Sequence, residues 1–171
     1  RDFREQRNSF LENQGYDGML PYHADTIFLQ NVQTAYNVGH YQQMTDPNVM
    51  ERRKYWQYQT AGDSRVREEH QVMDGRVYAA DDPIWDIWYP PNGFGCRCIV
   101  VSRTEAWVKS HGITVENMIP TMINPKTRQA EGALPDKGFR TNPAKAKWTP
   151  NLVGFPEVLR KAWEERERKA R

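Results

Sequence analysis

The segment from Lys54 to Val101 most constrains what this chain can fold into. It holds eight of the twenty aromatic residues and both cysteines, and glycine and proline cut it into short pieces. Lys54-Tyr55-Trp56-Gln57-Tyr58-Gln59-Thr60 is β-prone and ends at Ala61-Gly62-Asp63. Val66 to Met73 suits a short helix or loop, Asp74-Gly75 a turn, and Arg76 to Ala79 a short strand. Asp81-Asp82-Pro83 opens a turn, or a short helix over Ile84-Trp85-Asp86-Ile87-Trp88. In Pro90-Pro91-Asn92-Gly93-Phe94-Gly95, two prolines fix φ and two glycines allow positive φ, which makes a rigid loop. Cys96-Arg97-Cys98-Ile99-Val100-Val101 reads as the best strand. The chain is 27% charged with a mean hydropathy of −0.89, so the core must be small. Twenty aromatic residues in 171 nevertheless argue against disorder. Trp85, Trp88, Tyr89 and Phe94 are therefore expected in the core rather than on an interaction surface, with Trp56, Tyr58 and Ile99 as neighbours.

The flanks read differently. Ile27, Phe28, Val32, Ala35, Tyr36, Gly39 and His40 recur at helical spacing, which predicts a helix over Thr26 to Met44 with Asp25 or Thr26 as its cap. Asp46-Pro47 closes it. Thr104 to His111 reads as a helix capped by Thr104 and stopped by Gly112. Beyond Ile119, six prolines interrupt nearly every element until Val158, Leu159, Ala162 and Trp163 restore helical character. The expected fold is thus α+β: a small sheet packed with helices over residues 26–119, the helix from Thr26 lying on the sheet. An N-terminal arm over 1–25 and an extended, proline-rich basic arm over 120–171, ending in a short helix, complete it.

Charge follows the same division. Residues 124–171 carry twelve Lys/Arg against six Asp/Glu, so the remainder is net acidic within a total of +2. Such a total is no nucleic-acid footprint by itself. Lys126, Arg128, Lys137, Arg140, Lys145 and Lys147, with Phe139, Trp148 and Trp163, are candidate contacts to a protein partner or to packaged DNA. No run approaches the roughly 18 apolar residues of a membrane span. The opening RDFREQRNSF has neither an initiator Met nor an apolar run of the signal-peptide kind, and a fragment or trimmed chain is expected.

Two cysteines make no disulfide framework, and a Cys-x-Cys pair on a strand fits disulfide geometry poorly. Cys96 and Cys98 share a strand face, and with His70 they offer three ligands of the kind zinc takes. Asp63, Asp74, His40 or water would be the fourth. The plainer reading is a polar clasp in which His70, Asp63, Asp74, Arg65 and Arg67 pin the intervening loop to the CRC segment. His70 and Asp74, four apart on a helix, could instead be a base and its orienting carboxylate in a hydrolase or transferase. Arg97 points away from the cysteines, toward Asp81, Asp82, Asp86 or solvent.

Taken in order, Gly62-Asp63-Ser64-Arg65-Val66-Arg67, His70, Asp74-Gly75, Pro90-Pro91 and Cys96-Arg97-Cys98 resemble the phage Mu F-like minor head proteins, the head morphogenesis family. Thr34, Tyr36 and Asn37 of the upstream helix match it too, and the resemblance covers about residues 26–103. It implies a minor component of a tailed-phage head, acting in assembly near the portal by binding portal or major capsid subunits. Location in the virion head, after assembly in the host cytoplasm, follows from the same resemblance. Many relatives place a His between the proline pair and the CRC, where this chain has Asn92-Gly93-Phe94-Gly95. A structural role is expected, with no catalytic residues; the metal- or His-dependent enzyme and the packaged DNA-binding protein are the alternatives.

Overall fold

The computed structural model describes residues 21–124, 127–146, 152–154 and 156–169, with positions 5, 6, 9, 12 and 13. The fold is α+β. Strand β1 (Tyr55–Gln59) runs between β2 (Val77–Ala79) and β3 (Ile99–Arg103), antiparallel to both, and the short β4 (Val115–Glu116) adds in parallel beyond β2. Trp56 lies opposite Tyr78 and Ser102, and Tyr58 opposite Val100. Because strand side chains alternate, these residues share one sheet face, and all five are buried.

Helix α1 (Pro21–Met44) and helix α2 (Pro47–Arg52) precede the sheet. Helix α3 (Glu68–Met73) follows β1, and the single turn α4 (Trp85–Trp88) follows β2. The turn delivers Trp85 and Trp88 onto the aromatic face. Trp56 and Trp85 have ring centroids 5.6 Å apart, and Trp85 meets Tyr78 edge-on at 5.7 Å. Trp88 meets Tyr58 edge-on at 5.8 Å. Each offset pair adds about 0.5–1.5 kcal/mol beyond the area buried. The indole nitrogens of Trp85 and Trp88 donate to the carbonyls of Ala79 (2.8 Å) and Ala133 (3.2 Å), which removes the cost of burying them. Trp85, Trp88 and Tyr89 are core as expected; Phe94 is exposed. Helix α5 (Glu105–Ser110) begins at Thr104, whose hydroxyl accepts from the Trp107 N–H at 3.1 Å, and ends before Gly112 at φ +60°.

Three sequence expectations are corrected. Helix α1 is already helical from Pro21, ahead of Asp25 and Thr26, so neither of these caps it. Its apolar stripe is also turned outward. Ile27, Phe28, Val32 and Tyr36 are exposed, while Ala24, Asn37 and Met44 are buried and Tyr41 is partly buried. Asn37, Tyr41 and Met44 follow the i, i+4, i+7 spacing of one face, and Tyr41 packs edge-on against Trp56 and Tyr89. Helical spacing identifies a face, not what covers it. Third, β3 starts at Ile99 rather than Cys96. Its pairing with β1 ends at Gln59–Ile99, and the Cys96 N–H turns back to the Gly93 carbonyl at 3.1 Å.

Within the segment expected to run as an extended arm from residue 120, described residues between 120 and 146 contact the aromatic domain. Strands β5 (Thr121–Ile123) and β6 (Ala130–Gly132) pair antiparallel. Ala133 is then fully buried, and the Asp136 N–H donates to the Asn92 carbonyl at 3.1 Å. Asn142 donates through Nδ2 to the Trp85 carbonyl at 3.0 Å. Prolines break regular elements but do not stop single residues from packing. Helix α6 (Glu157–Lys169) lies beyond, with Val158 and Leu159 exposed.

Candidate functional site

At the Gln59 end of β1 the chain leaves the sheet, loops through residues 60–67 and enters α3, which turns His70 and Met73 inward. From the other side, the loop after α4 brings Cys96 and Cys98 to the same place. His70 Nδ1 is 3.8 Å from Cys96 Sγ and 3.6 Å from Cys98 Sγ, and all three residues are buried. Among the described residues this is the group of His, Cys and carboxylate side chains close enough to share an ion.

The surroundings favour one thiolate. Cys98 hydrogen-bonds Cys96 and pushes its thiol well below the usual range, helped by His70 and by the backbone N–H groups of Asn92 and Cys98. Cys98 is correspondingly pushed up, first by that same bond and then by burial. The Tyr58 hydroxyl accepts from Asn92 Nδ2 at 2.9 Å and hydrogen-bonds Cys98; burial raises its pKa, and the two sulfurs raise it further. The imidazole stands edge-to-face on Trp88, with centroids 5.9 Å apart. Its second nitrogen, Nε2, is buried without a hydrogen-bond partner.

Around this centre, polar contacts tie the 60–67 loop to the Cys96–Cys98 segment. Asp63 receives both Arg97 guanidinium nitrogens at 2.7 Å each, and also pairs with Arg65. The Arg97 bonds hold the Asp63 carboxyl well below the ordinary carboxylate range. Arg97 therefore pairs with Asp63, not with Asp81, Asp82 or Asp86. Arg67 donates to the Phe94 carbonyl at 2.6 Å and lies 3.6 Å from Asp136. Both groups lie so close over Gly93 that a Cβ there would collide with them. Asp74 does not join His70: its Oδ1 accepts the Thr60 N–H at 2.7 Å, closing the turn after α3.

The basic residues are dispersed. Arg140 donates to the Pro135 carbonyl at 3.1 Å, Lys145 pairs with Asp86, and Phe139 packs edge-on against Phe94 with centroids 4.9 Å apart. Lys137 and Arg128 are exposed, and Trp163 lies on α6. Lys126, Lys147 and Trp148 fall outside the described residues. Sequence reasoning missed Tyr58, Asn92 and Asn142 as polar anchors. The signal available was the type of residue: a tyrosine and two asparagines amid aromatic neighbours must find partners if buried.

The fold and this clasp define a small α+β domain closed around a His-Cys-Cys centre. The profile of the family described as Phage Mu protein F like protein matches residues 6–101, more than half the chain, and the chain belongs to that family. Among its relatives, the Mu-like prophage FluMu F protein of Haemophilus influenzae is 44% identical over 92 residues, covering 54% of this chain and 22% of the relative. The Putative capsid assembly protein F of Escherichia phage Mu is 41% identical over 90 residues, covering 53% and 20%. The chain thus spans about a fifth of the length of the curated relatives it matches. No solved structure matches it.

Proposed function

We propose that this chain acts in phage head assembly as a minor head component, binding portal or capsid subunits, and that it resides in the virion head after assembly in the host cytoplasm. The observation that carries this reading is family membership, joined to the name of the phage Mu relative, a putative capsid assembly protein. The domain supplies a fitting surface. Leu29, Val32 and Tyr36 stand exposed on one side of α1, which is itself anchored by Tyr89 Oη donating to the Asn37 carbonyl at 3.0 Å. An apolar stripe on a tethered helix is what a subunit–subunit contact buries. The reading is non-catalytic. A base and orienting carboxylate would require His70 and Asp74 together, and Asp74 is bound to Thr60 instead. Among the described residues no helix is long and apolar enough to cross a membrane.

The test is co-expression of the chain with the portal protein and the major capsid protein of the same phage, followed by sizing and mass analysis of the assembled fractions. Co-elution at fixed stoichiometry, reduced by Leu29→Asp with Val32→Asp, is expected. A folded chain that joins neither assembly would overturn the proposal. Retention by bare DNA, steeply weakened by salt, would move the assignment to a packaged DNA-binding protein. Any deletion of the C-terminal region should start after residue 146, because Ala133 and Asn142 pack against the aromatic domain.

A further inference from the structure

We propose that His70, Cys96 and Cys98 bind one zinc ion, through Nδ1 and the two Sγ atoms, with solvent in the fourth position. The argument is geometric. Zinc–sulfur bonds of about 2.3 Å and zinc–nitrogen bonds of about 2.0–2.1 Å at tetrahedral angles place nitrogen and sulfur ligands about 3.6 Å apart. The two Nδ1···Sγ separations are 3.6 and 3.8 Å, and the three ligand atoms lie within 4.8 Å of one another. Both nitrogen–sulfur edges of the trio therefore have the length of a coordination tetrahedron's edge before any ion is added.

Three further features fit. First, the Tyr58 hydroxyl, held by Asn92 Nδ2 at 2.9 Å, stands beside the two thiols, a polar neighbour of the kind that supports metal thiolates. Next, a small cavity of about 20 Å³ opens beside the trio, lined also by Ala61, Val66, Gly95 and the arginines Arg65, Arg67 and Arg97, of which Arg65 and Arg97 pair with Asp63 and Arg67 with Asp136. The cavity has room for about one water, and both carboxylates suggested by the sequence, Asp63 and Asp74, are bound elsewhere. Finally, two thiolates neutralise the dication, so the occupied site carries no net charge into a buried place. Soft sulfur ligands with one imidazole select zinc over magnesium or calcium.

Binding breaks the S–H bonds still present and forms two Zn–S bonds and one Zn–N bond, with the displaced protons passing to solvent. Uptake should therefore weaken as pH falls. The bound ion would join α3 to the Cys96–Cys98 segment at the point where Asp63 and Arg97 already hold the loop.

The experiment uses the full chain, reduced and stripped with chelator. Zinc is titrated against a chromophoric competitor, and cobalt(II) is added separately as a spectroscopic probe. One zinc per chain is expected, with a sulfur-to-cobalt charge-transfer band and the visible bands of tetrahedral cobalt. Both cysteines of the unaltered chain should also resist alkylation when zinc is present and react when it is removed. Cys96→Ser and Cys98→Ser should each lose the charge-transfer intensity in part, and together entirely. A reduced, folded chain that takes up no more zinc than the double variant, with alkylation unaffected by zinc, would overturn the proposal.

Discussion

The aromatic domain and helix α1 are both rich in apolar residues, yet they treat them in opposite ways. Around the sheet, Trp56, Tyr58, Tyr78, Trp85, Trp88 and Tyr89 are almost entirely buried. Along α1, Ile27, Leu29, Val32 and Tyr36 are exposed, and the residues turned inward include a fully buried asparagine, Asn37. The difference lies in what fixes each side chain. In the domain, strand pairing fixes Trp56, Tyr58 and Tyr78, and indole hydrogen bonds to the Ala79 and Ala133 carbonyls fix Trp85 and Trp88. On α1, a few contacts at Asn37, Tyr41 and Met44 hold the helix and leave Leu29, Val32 and Tyr36 at the surface. One region covers its apolar residues itself; the other leaves them exposed, where the proposed subunit contact would lie.

Substitutions should separate the two roles. The largest effect belongs to Trp88→Ala, which removes a fully buried ring between Tyr58 and His70 and frees the Ala133 carbonyl. A loss of about 3–5 kcal/mol is expected in urea unfolding. Asn142→Ala follows. It strips the Trp85 carbonyl of a buried donor and leaves the Ala144 N–H without its acceptor, for about 1–3 kcal/mol by the same measurement. A neutral result there would break the claim that Asn142 anchors its segment to the aromatic domain.

Leu29→Asp should reverse the pattern. Stability should change by no more than about 0.5 kcal/mol, as for other surface changes, while co-assembly with portal or capsid subunits falls away. Asp63→Asn should act most weakly. Because Arg97 depresses the Asp63 carboxyl, its ion pair stabilises the folded state above the ordinary aspartate pKa of about 4 and is lost as pH falls below it. The variant should lose part of this acid-side dependence, read as a smaller drop in melting temperature on acidification.

Much of the domain was legible in the sequence because its elements are short and sharply punctuated. Gly62, Gly75 and Pro90-Pro91 mark the breaks, and both thiols meet His70 although the strand expected to align them begins only at Ile99. The centre of the site was legible for the same reason: few chemistry-bearing residues lie in this stretch. What stayed hidden depends on contacts between distant residues. Nothing local distinguishes Asp63 from Asp81, Asp82 or Asp86 as the partner of Arg97. Asp74 sits one helical turn from His70, yet the tight turn at Gly75 gives its carboxylate to Thr60. The stretch beyond Ile119 shows no periodicity because its contacts come from isolated anchors, Ala133 and Asn142, between prolines. The outward stripe of α1 misled because amphipathic spacing is the same whether a sheet or a partner subunit covers it.

Hydrogen exchange on the full chain, alone and assembled with portal or capsid subunits, tests the division most directly. The free chain should protect β1, β3 and the Ala133 and Asp136 amides together, and assembly should slow exchange mainly within residues 22–36. Exchange at Ala133 and Asp136 as fast as in α6, or an assembly effect centred on residues 55–103, would contradict the account.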